Sequence, residues 1–205
     1  MSRQVALDNI WLKPTWRWGR TEYSLEYHEE FMQRVTGLVP SHPEFRRRFL
    51  DAIGMDMIWS TDDGLHGTWS KFGRCTDMGH AIYAADGSDW RQPGHSPFKT
   101  MEEVWAFDAV AEYGLPDLEA QVNAYENAWQ RQQKSFPSQL VTGGYYKSIV
   151  SGAIEAFGWE MLLLAASDTL RMEKVFDSFF RFTLHHMEAW SQTSAEVIIQ
   201  HADFV

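Results

Sequence analysis

Apolar residues along this chain alternate between helical spacing and short continuous runs, and that alternation sets the first expectation of fold. A short helix is expected over Arg3 to Leu12, stopped by Pro14, which has no N–H to donate and whose ring blocks the preceding turn. Arg17 to Leu25 then reads as an extended segment. Ser41-His42-Pro43-Glu44 fits a capping box. Phe45, Phe49 and Ile53 follow at helical spacing, and Gly54 is placed to end the helix. Met55 to Thr61 is a short apolar strand that runs into Asp62-Asp63-Gly64.

From Leu65 to Pro97 the periodicity gives way to Gly, Asp and aromatic residues. Asp86-Gly87 is a hairpin-turn signal, with Thr76 to Ala84 and Ser88 to Arg91 as its two arms. Helices resume at Lys99, where Thr100 and Glu103 form a second capping pair. Pro116 to Lys134 carries one stripe of Leu118, Val122, Tyr125, Trp129 and Gln132. Gln139 to Thr142 is a third strand, broken by Gly143-Gly144. A helix from Tyr146 to Ala166 follows, with Gly152 and Gly158 as weak points. Asp168 can cap a long helix to Ser191 whose inner face is Met172, Val175, Phe176, Phe179, Thr183, His186, Met187 and Trp190. Glu196 to Phe204 is a fourth strand.

Strands that alternate with helices imply an α/β fold with parallel strands joined by right-handed crossovers. The spacing, and a polar cluster after each strand, suit a TIM-type (β/α)8 barrel better than a short doubly wound sheet. A full barrel takes roughly 250 residues, and only four parallel strands are read here. The expectation is therefore a single barrel domain over residues 1–205, represented by about its first half and C-terminally incomplete, with residues 65–97 as an insertion over the barrel mouth.

Composition narrows the function. The chain is 44% hydrophobic and 15% aromatic, with ten Trp and thirteen Phe, enough to bury a sizeable core. Its net charge of −10 disfavours nucleic acid and anionic membrane surfaces as partners. Arg46-Arg47-Arg48 is the one dense basic run, and it reads as the solvated face of a helix. A lone cysteine, Cys75, builds no disulfide framework. The opening MSRQVALDNIWLKPTW has no long apolar core of the kind a secretory leader carries. The longest apolar run, Met161 to Ala166, is six residues, far short of the roughly 20 that cross a membrane. A cytoplasmic location is the default expectation.

Four segments resemble the uroporphyrinogen decarboxylase superfamily. ALDNIWLKPTWRWGRTEYS at 6–24 resembles its opening helix, Pro-containing turn and first strand. IWSTDDG at 58–64 looks like the second-strand motif that carries the family's catalytic aspartate. TGGYYKSIVSGAIEAFGWEMLLLAA at 142–166 is similar to the glycine-rich third strand and its helix, and VIIQHADF at 197–204 to the fourth strand. The resemblance implies a barrel enzyme of one of two branches. One decarboxylates a tetrapyrrole without a cofactor. The other transfers a methyl group between a corrinoid, or a corrinoid protein, and a small acceptor, with zinc held by residues of the later half. Two departures stand out. GRTEYS replaces the decarboxylases' arginine-rich motif, leaving Arg20 alone in that role, and Ala202 stands where the methyltransferase-like branch often has an acid.

Candidate residues follow from strand ends, where barrel enzymes place their chemistry. Asp62 and Asp63 are expected to be catalytic, since a carboxylate there can hold pyrrole N–H groups or stabilise a cation as a carboxylate leaves; the plain alternative is an Asp-Gly turn. Asp203 joins them, with His201 on the same strand face beside it. Arg20 can fork onto a substrate carboxylate, with Glu22 near it; the alternative is a surface ion pair. Tyr145 and Tyr146 follow two glycines that would let backbone approach a ligand, and one of the two is expected to be a core aromatic. His66, in the insertion, is grouped with them as substrate-binding. His185, His186 and Glu188 suggest a metal, but neighbouring helix positions do not converge on one ion, so no metal is expected. Four strands would leave two open edges, so the expected partner is a second copy or a complementing half. A subunit inactive by itself is the third alternative.

Overall fold

Helix formation at the N-terminus places the Ser2 hydroxyl where it donates to the Met55 carbonyl, just before the first strand. The computed structural model describes residues 2–22, 25–60, 73–76, 82–90, 95–145 and 148–200. The chain folds into two compact units, Met1–Ser60 with Ala81–Trp90 and Asn127–Thr142, and Thr61–His80 with Arg91–Glu126 and Gly143–Val205.

The first unit contains α1 (Ser2–Ile10), α2 (Glu29–Thr36), α3 (Phe45–Ala52), β1 (Met57–Ile58) and the hairpin β2 (Ile82–Tyr83) and β3 (Asp89–Trp90). Helix α2 escapes the apolar pattern. His28 caps it by accepting from the Phe31 N–H, and Gly37 closes it at φ 68°. Helix α3 begins later than the Ser41 capping box implies: Glu44 is its N-cap and makes no side-chain cap. The Glu44 carboxylate turns instead to Arg47 and Arg48 in the first turn, and the Glu44 N–H donates to His42 Nδ1. Gly54, at φ 68°, closes the helix as its sequence position suggests. The hairpin turn carries Gly87 at φ 84°, with the Ala84 N–H donating to the Ser88 carbonyl. Of its expected arms, residues 77–81 and 91 lie outside the described residues, and Thr76 bonds to the Glu155 carbonyl.

Helix α6 (Leu118–Ser135), capped by Asp117 on the Ala120 N–H, ends in the first unit and leads into β4 (Leu140–Val141). β4 pairs with β1 in parallel, Met57 opposite Leu140. Met32, Phe45, Phe49, Leu50, Ile58 and Val141 form this unit's core. Arg17 to Glu22 is not a strand, a departure from expectation. Its Arg20 carbonyl nevertheless accepts from the Asp56 and Met57 N–H groups, beside β1.

The second unit contains α4 (Met101–Trp105), α5 (Ala109–Tyr113), β5 (Gly143–Tyr145), α7 (Ile149–Phe157), α8 (Trp159–Ala165), α9 (Thr169–Ser191) and β6 (Ile198–Gln200). Thr100 caps α4 on the Glu103 N–H, and Asp168 caps α9 on the Arg171 N–H. The helix expected over 146–166 is two helices, broken at Gly158, whose φ of 75° a side chain would resist. β5 and β6 pair in parallel, Tyr145 opposite Gln200. The core packs Phe98, Phe107 and Phe157 edge to face and stacks Phe107 on Phe179 at 5.5 Å.

The described strands pair as two separate parallel pairs, not as one continuous sheet. The segment 139–145 divides at Thr142, giving one strand to β1 and one to β6. Among the described residues the strands form two parallel pairs and one antiparallel hairpin, with no closed sheet. Among these residues, no helix is long and apolar enough to cross a membrane.

Candidate functional site

Strand β1 leads toward Asp62 through a polar clamp that sequence reasoning missed. Thr142 is buried immediately after β4, and its hydroxyl donates to the Ser60 carbonyl at 2.9 Å while accepting the Ser60 N–H at 3.0 Å. These bonds extend the β1–β4 pairing past Ile58 and fix the backbone two residues before Asp62. A threonine at the end of an apolar strand was the available signal. Asp62, Asp63, His66, Tyr146, His201 and Asp203 lie outside the described residues.

Behind β1 sits a buried carboxylate, also unanticipated. Asp56 has no exposed surface. It accepts from Arg17 Nη2 at 2.6 Å and from the Arg20 N–H at 2.8 Å, and it also bonds Arg17 Nη1 and the Ser2 hydroxyl. Burial pushes the Asp56 carboxyl up. The Arg17 guanidinium, the Ser2 hydroxyl and the Arg20 N–H together outweigh that and hold it below its ordinary value.

Arg20 itself is exposed, and its guanidinium donates to the Ile53 carbonyl at the end of α3. Its side chain therefore serves a helix terminus in this structure, and its backbone serves Asp56. Glu22 is exposed in the same unit.

Tyr145 belongs to the second unit. It has no exposed surface, and its ring stacks on His186 at 5.0 Å with an interplanar angle of 8°. Of the two adjacent tyrosines, Tyr145 takes the core position. The preceding glycines are required by protein packing. A Cβ on Gly143 would stand 2.5 Å from the Trp190 ring, and one on Gly144 would stand 2.2 Å from the Ile199 carbonyl oxygen of β6.

His186 lies on the inner face of α9, with Nδ1 2.8 Å from the Tyr125 hydroxyl. Its Nε2 is buried and has no hydrogen-bond partner among the described residues. Burial, and then the neighbouring His185, depress its pKa from 6.5 to about 4, so it is a neutral imidazole at pH 7. A buried neutral histidine bonded to a tyrosine is a core polar pair. Among the described residues, no three His, Cys, Asp or Glu gather as metal ligands.

The geometry offers two things: a clamped strand end that leads to Asp62, and a parallel β5–β6 pair whose adjoining ends lead to Tyr146 and His201. No protein-family model, curated protein or solved structure matches the chain.

Proposed function

We propose that the chain is a uroporphyrinogen decarboxylase-like enzyme of (β/α) barrel type that acts on a tetrapyrrole or a corrinoid-linked substrate. The observation that carries this reading is the pair of parallel strand pairings, each separated along the chain by helices and each leading at its C-terminal end into a candidate residue. In the reaction proposed, a side-chain carboxylate of the pyrrole substrate leaves as carbon dioxide, and the bonding electron pair passes to the carbon left behind, which takes a proton. Asp62 holds the pyrrole N–H groups and stabilises the positive charge on the ring while the bond breaks, with Asp63 and Asp203 as further acids. His201, His66 and Tyr146 contact substrate, and Arg20 with Glu22 supplies charge near the first strand region. Tyr145, expected to contact substrate, is buried against His186 and is left out of this site.

Methyl transfer is the second reading. It is favoured by the net charge of −10, which is unfavourable to a substrate bearing many carboxylates. Among the described residues no three His, Cys, Asp or Glu gather as zinc ligands.

The test is uroporphyrinogen turnover by the chain and by Asp62→Asn. We expect turnover to fall at least about tenfold, roughly 1.4 kcal/mol of transition-state stabilisation, with the melting temperature unchanged. Full activity in Asp62→Asn beside an inactive Asp63→Asn would move the role to Asp63. A chain that turns over no uroporphyrinogen and binds no corrinoid would end both readings.

A further inference from the structure

A hollow of about 340 Å³ opens in the first unit between the first turn of α1 and the end of α6. Arg3, Trp129, Gln130, Gln133, Lys134 and Pro137 line it. Its walls are fixed by hydrogen bonds within the protein. The Arg3 N–H donates to the Ser138 carbonyl at 2.8 Å and ties α1 to the chain that leaves α6. The Trp129 indole N–H donates to the Val141 carbonyl at 3.0 Å, which sets the ring against the core of this unit. Gln133 is committed through both ends of its amide, to the Phe136 and Gln139 carbonyls and to the Val141 N–H. A hollow whose walls are held this way is formed before anything enters it, as small-molecule sites usually are.

The lining carries one sign of charge. Arg3 and Lys134 are cations and no acid lines the hollow, in a chain of net charge −10. Arginines elsewhere sit on carboxylates: Arg17 on Asp56, Arg46 on Glu26, Arg74 on Glu112 and Arg181 on Asp108. Lys134 makes no side-chain bond or ion pair with a described residue. Trp129 has its N–H already bonded, so what it offers the hollow is the face of its ring, and Pro137 adds a second apolar surface. The volume is at the small end of the roughly 300–1,000 Å³ that ligand pockets span, which suits a compact molecule and no polymer. A nucleic acid would need cations spread along a surface, and the charge of the chain opposes it. A bare inorganic anion would leave the apolar surfaces uncovered.

We propose that this hollow binds a small organic anion, with its carboxylate or phosphate group between Arg3 and Lys134 and its flat apolar body against Trp129 and Pro137. A guanidinium forks onto either head group, and an ammonium meets it as a point charge. The site lies at the other end of the β1–β4 pair from the proposed chemistry. Its α6 residues and Pro137 precede β4, whereas Thr142 and Ser60 follow the paired strands toward Asp62. It is a second site, and its test is separate from the turnover of uroporphyrinogen.

The test is an NMR titration of the full chain with benzoate and with phenyl phosphate, followed at the Trp129 indole N–H, whose signal Trp129→Phe identifies by removing it. At least one of the two probes is expected to saturate with a Kd of about 1 mM or tighter, and the tighter of them names the head group. Benzyl alcohol, which lacks the charge, and inorganic phosphate, which lacks the apolar body, should each bind at least about tenfold more weakly. Affinity should fall as salt rises, because the site is open to solvent. Lys134→Gln should weaken binding at least about tenfold, and Lys134→Arg should keep it. Lys134 is exposed and bonds no described residue, so both variants keep the fold, which a melting curve verifies. The proposal is overturned if neither probe saturates, if the Trp129 signal stays still while one does, or if binding ignores salt or Lys134→Gln. It is overturned equally if either half-ligand binds as tightly as the organic anions.

Discussion

At the scale of single residues, the buried polar groups decide more than the exposed ones, and they are the hardest to read from sequence. Asp56 sits between two methionines in an apolar run, where periodicity treats an acid as an exposed interruption. Its burial depends on Arg17 and Ser2, which lie 39 and 54 residues away. Asp56→Ala should destabilise the chain by about 3 kcal/mol, measured by urea unfolding, because Arg17 and the Arg20 N–H lose a charged acceptor. A loss below about 1 kcal/mol, the value of an exposed pair, would show that the site is wetter than its geometry indicates.

His186 makes a pH prediction with a definite sign. Its folded pKa is about 4 against an ordinary 6.5. The unfolded chain takes up a proton as pH falls below about 6.5, while the folded chain refuses it until about 4, so stability declines through that window. The full decline attributable to this group is roughly 3 kcal/mol. Asp56 acts in the same direction but lower, since its stabilisation is lost only as pH falls below its ordinary 3.8. Denaturant unfolding at several pH values should therefore show a flatter profile between pH 6.5 and 4 in His186→Gln. An amide can still bond the Tyr125 hydroxyl. Identical slopes in the two proteins would remove His186 as the cause.

At the scale of elements, legibility follows the length of the apolar pattern. Helix α9 was readable in most of its length: its Asp168 cap and its buried Met172, Val175, Phe179, Thr183, His186 and Trp190 lie where 3.6-residue periodicity puts them, whereas Phe176 and Met187 are only half-buried and the buried Ser178, Phe182 and Ala189 escaped the pattern. Helix α6 lies where the pattern puts it but buries Tyr125 alone: Leu118, Val122 and Trp129 are half-buried, Gln132 is exposed, and Gln133 turns inward in its place. The Gln133 amide donates to the Phe136 and Gln139 carbonyls and accepts the Val141 N–H, tying the helix to β4. Helix α2 was not readable, because in eight residues it buries Met32 alone. The strands at Met57, Leu140 and Ile198 were placed, but β5 and the pairing partners were not, since register depends on contacts the sequence does not spell out. The division at Thr142 makes this concrete. Thr142→Val keeps the shape and removes the hydroxyl that clamps Ser60. It should cost about 1–2 kcal/mol and, under the proposed function, lower turnover with little change in KM. Gly143→Ala pushes a methyl group into the Trp190 ring and should cost about 1–3 kcal/mol by overpacking. Unchanged melting temperatures in both variants would mean that the strand junction tolerates what its geometry forbids.

At the scale of the whole molecule, the two units are interleaved along the chain, and this has a thermodynamic consequence. Neither is a continuous stretch. The first is built from Met1–Ser60, Ala81–Trp90 and Asn127–Thr142, and the second takes the segments between and after them. A barrel expectation drawn from local alternation had no means of showing this, because the grouping depends on which distant segments meet. The covalent path makes each unit depend on the other. Freeing Asn127–Thr142 from the first releases helix α6, which also supplies Tyr125 to the second, where the Tyr125 ring stacks on Trp190 at 4.2 Å. Independent unfolding of one unit would therefore cut a continuous helix and leave its end groups unsatisfied. Phe49 is fully buried in the first core and Phe179 is 1% exposed in the second. Truncating either to Ala should cost about 3–5 kcal/mol, or about 6–20 °C in melting temperature for a chain of this size. The interleaving predicts that Phe49→Ala and Phe179→Ala shift one common transition, seen alike by far-ultraviolet circular dichroism and by tryptophan fluorescence. Two separated transitions, with each variant moving only its own, would show that the units unfold independently in spite of the helix they share.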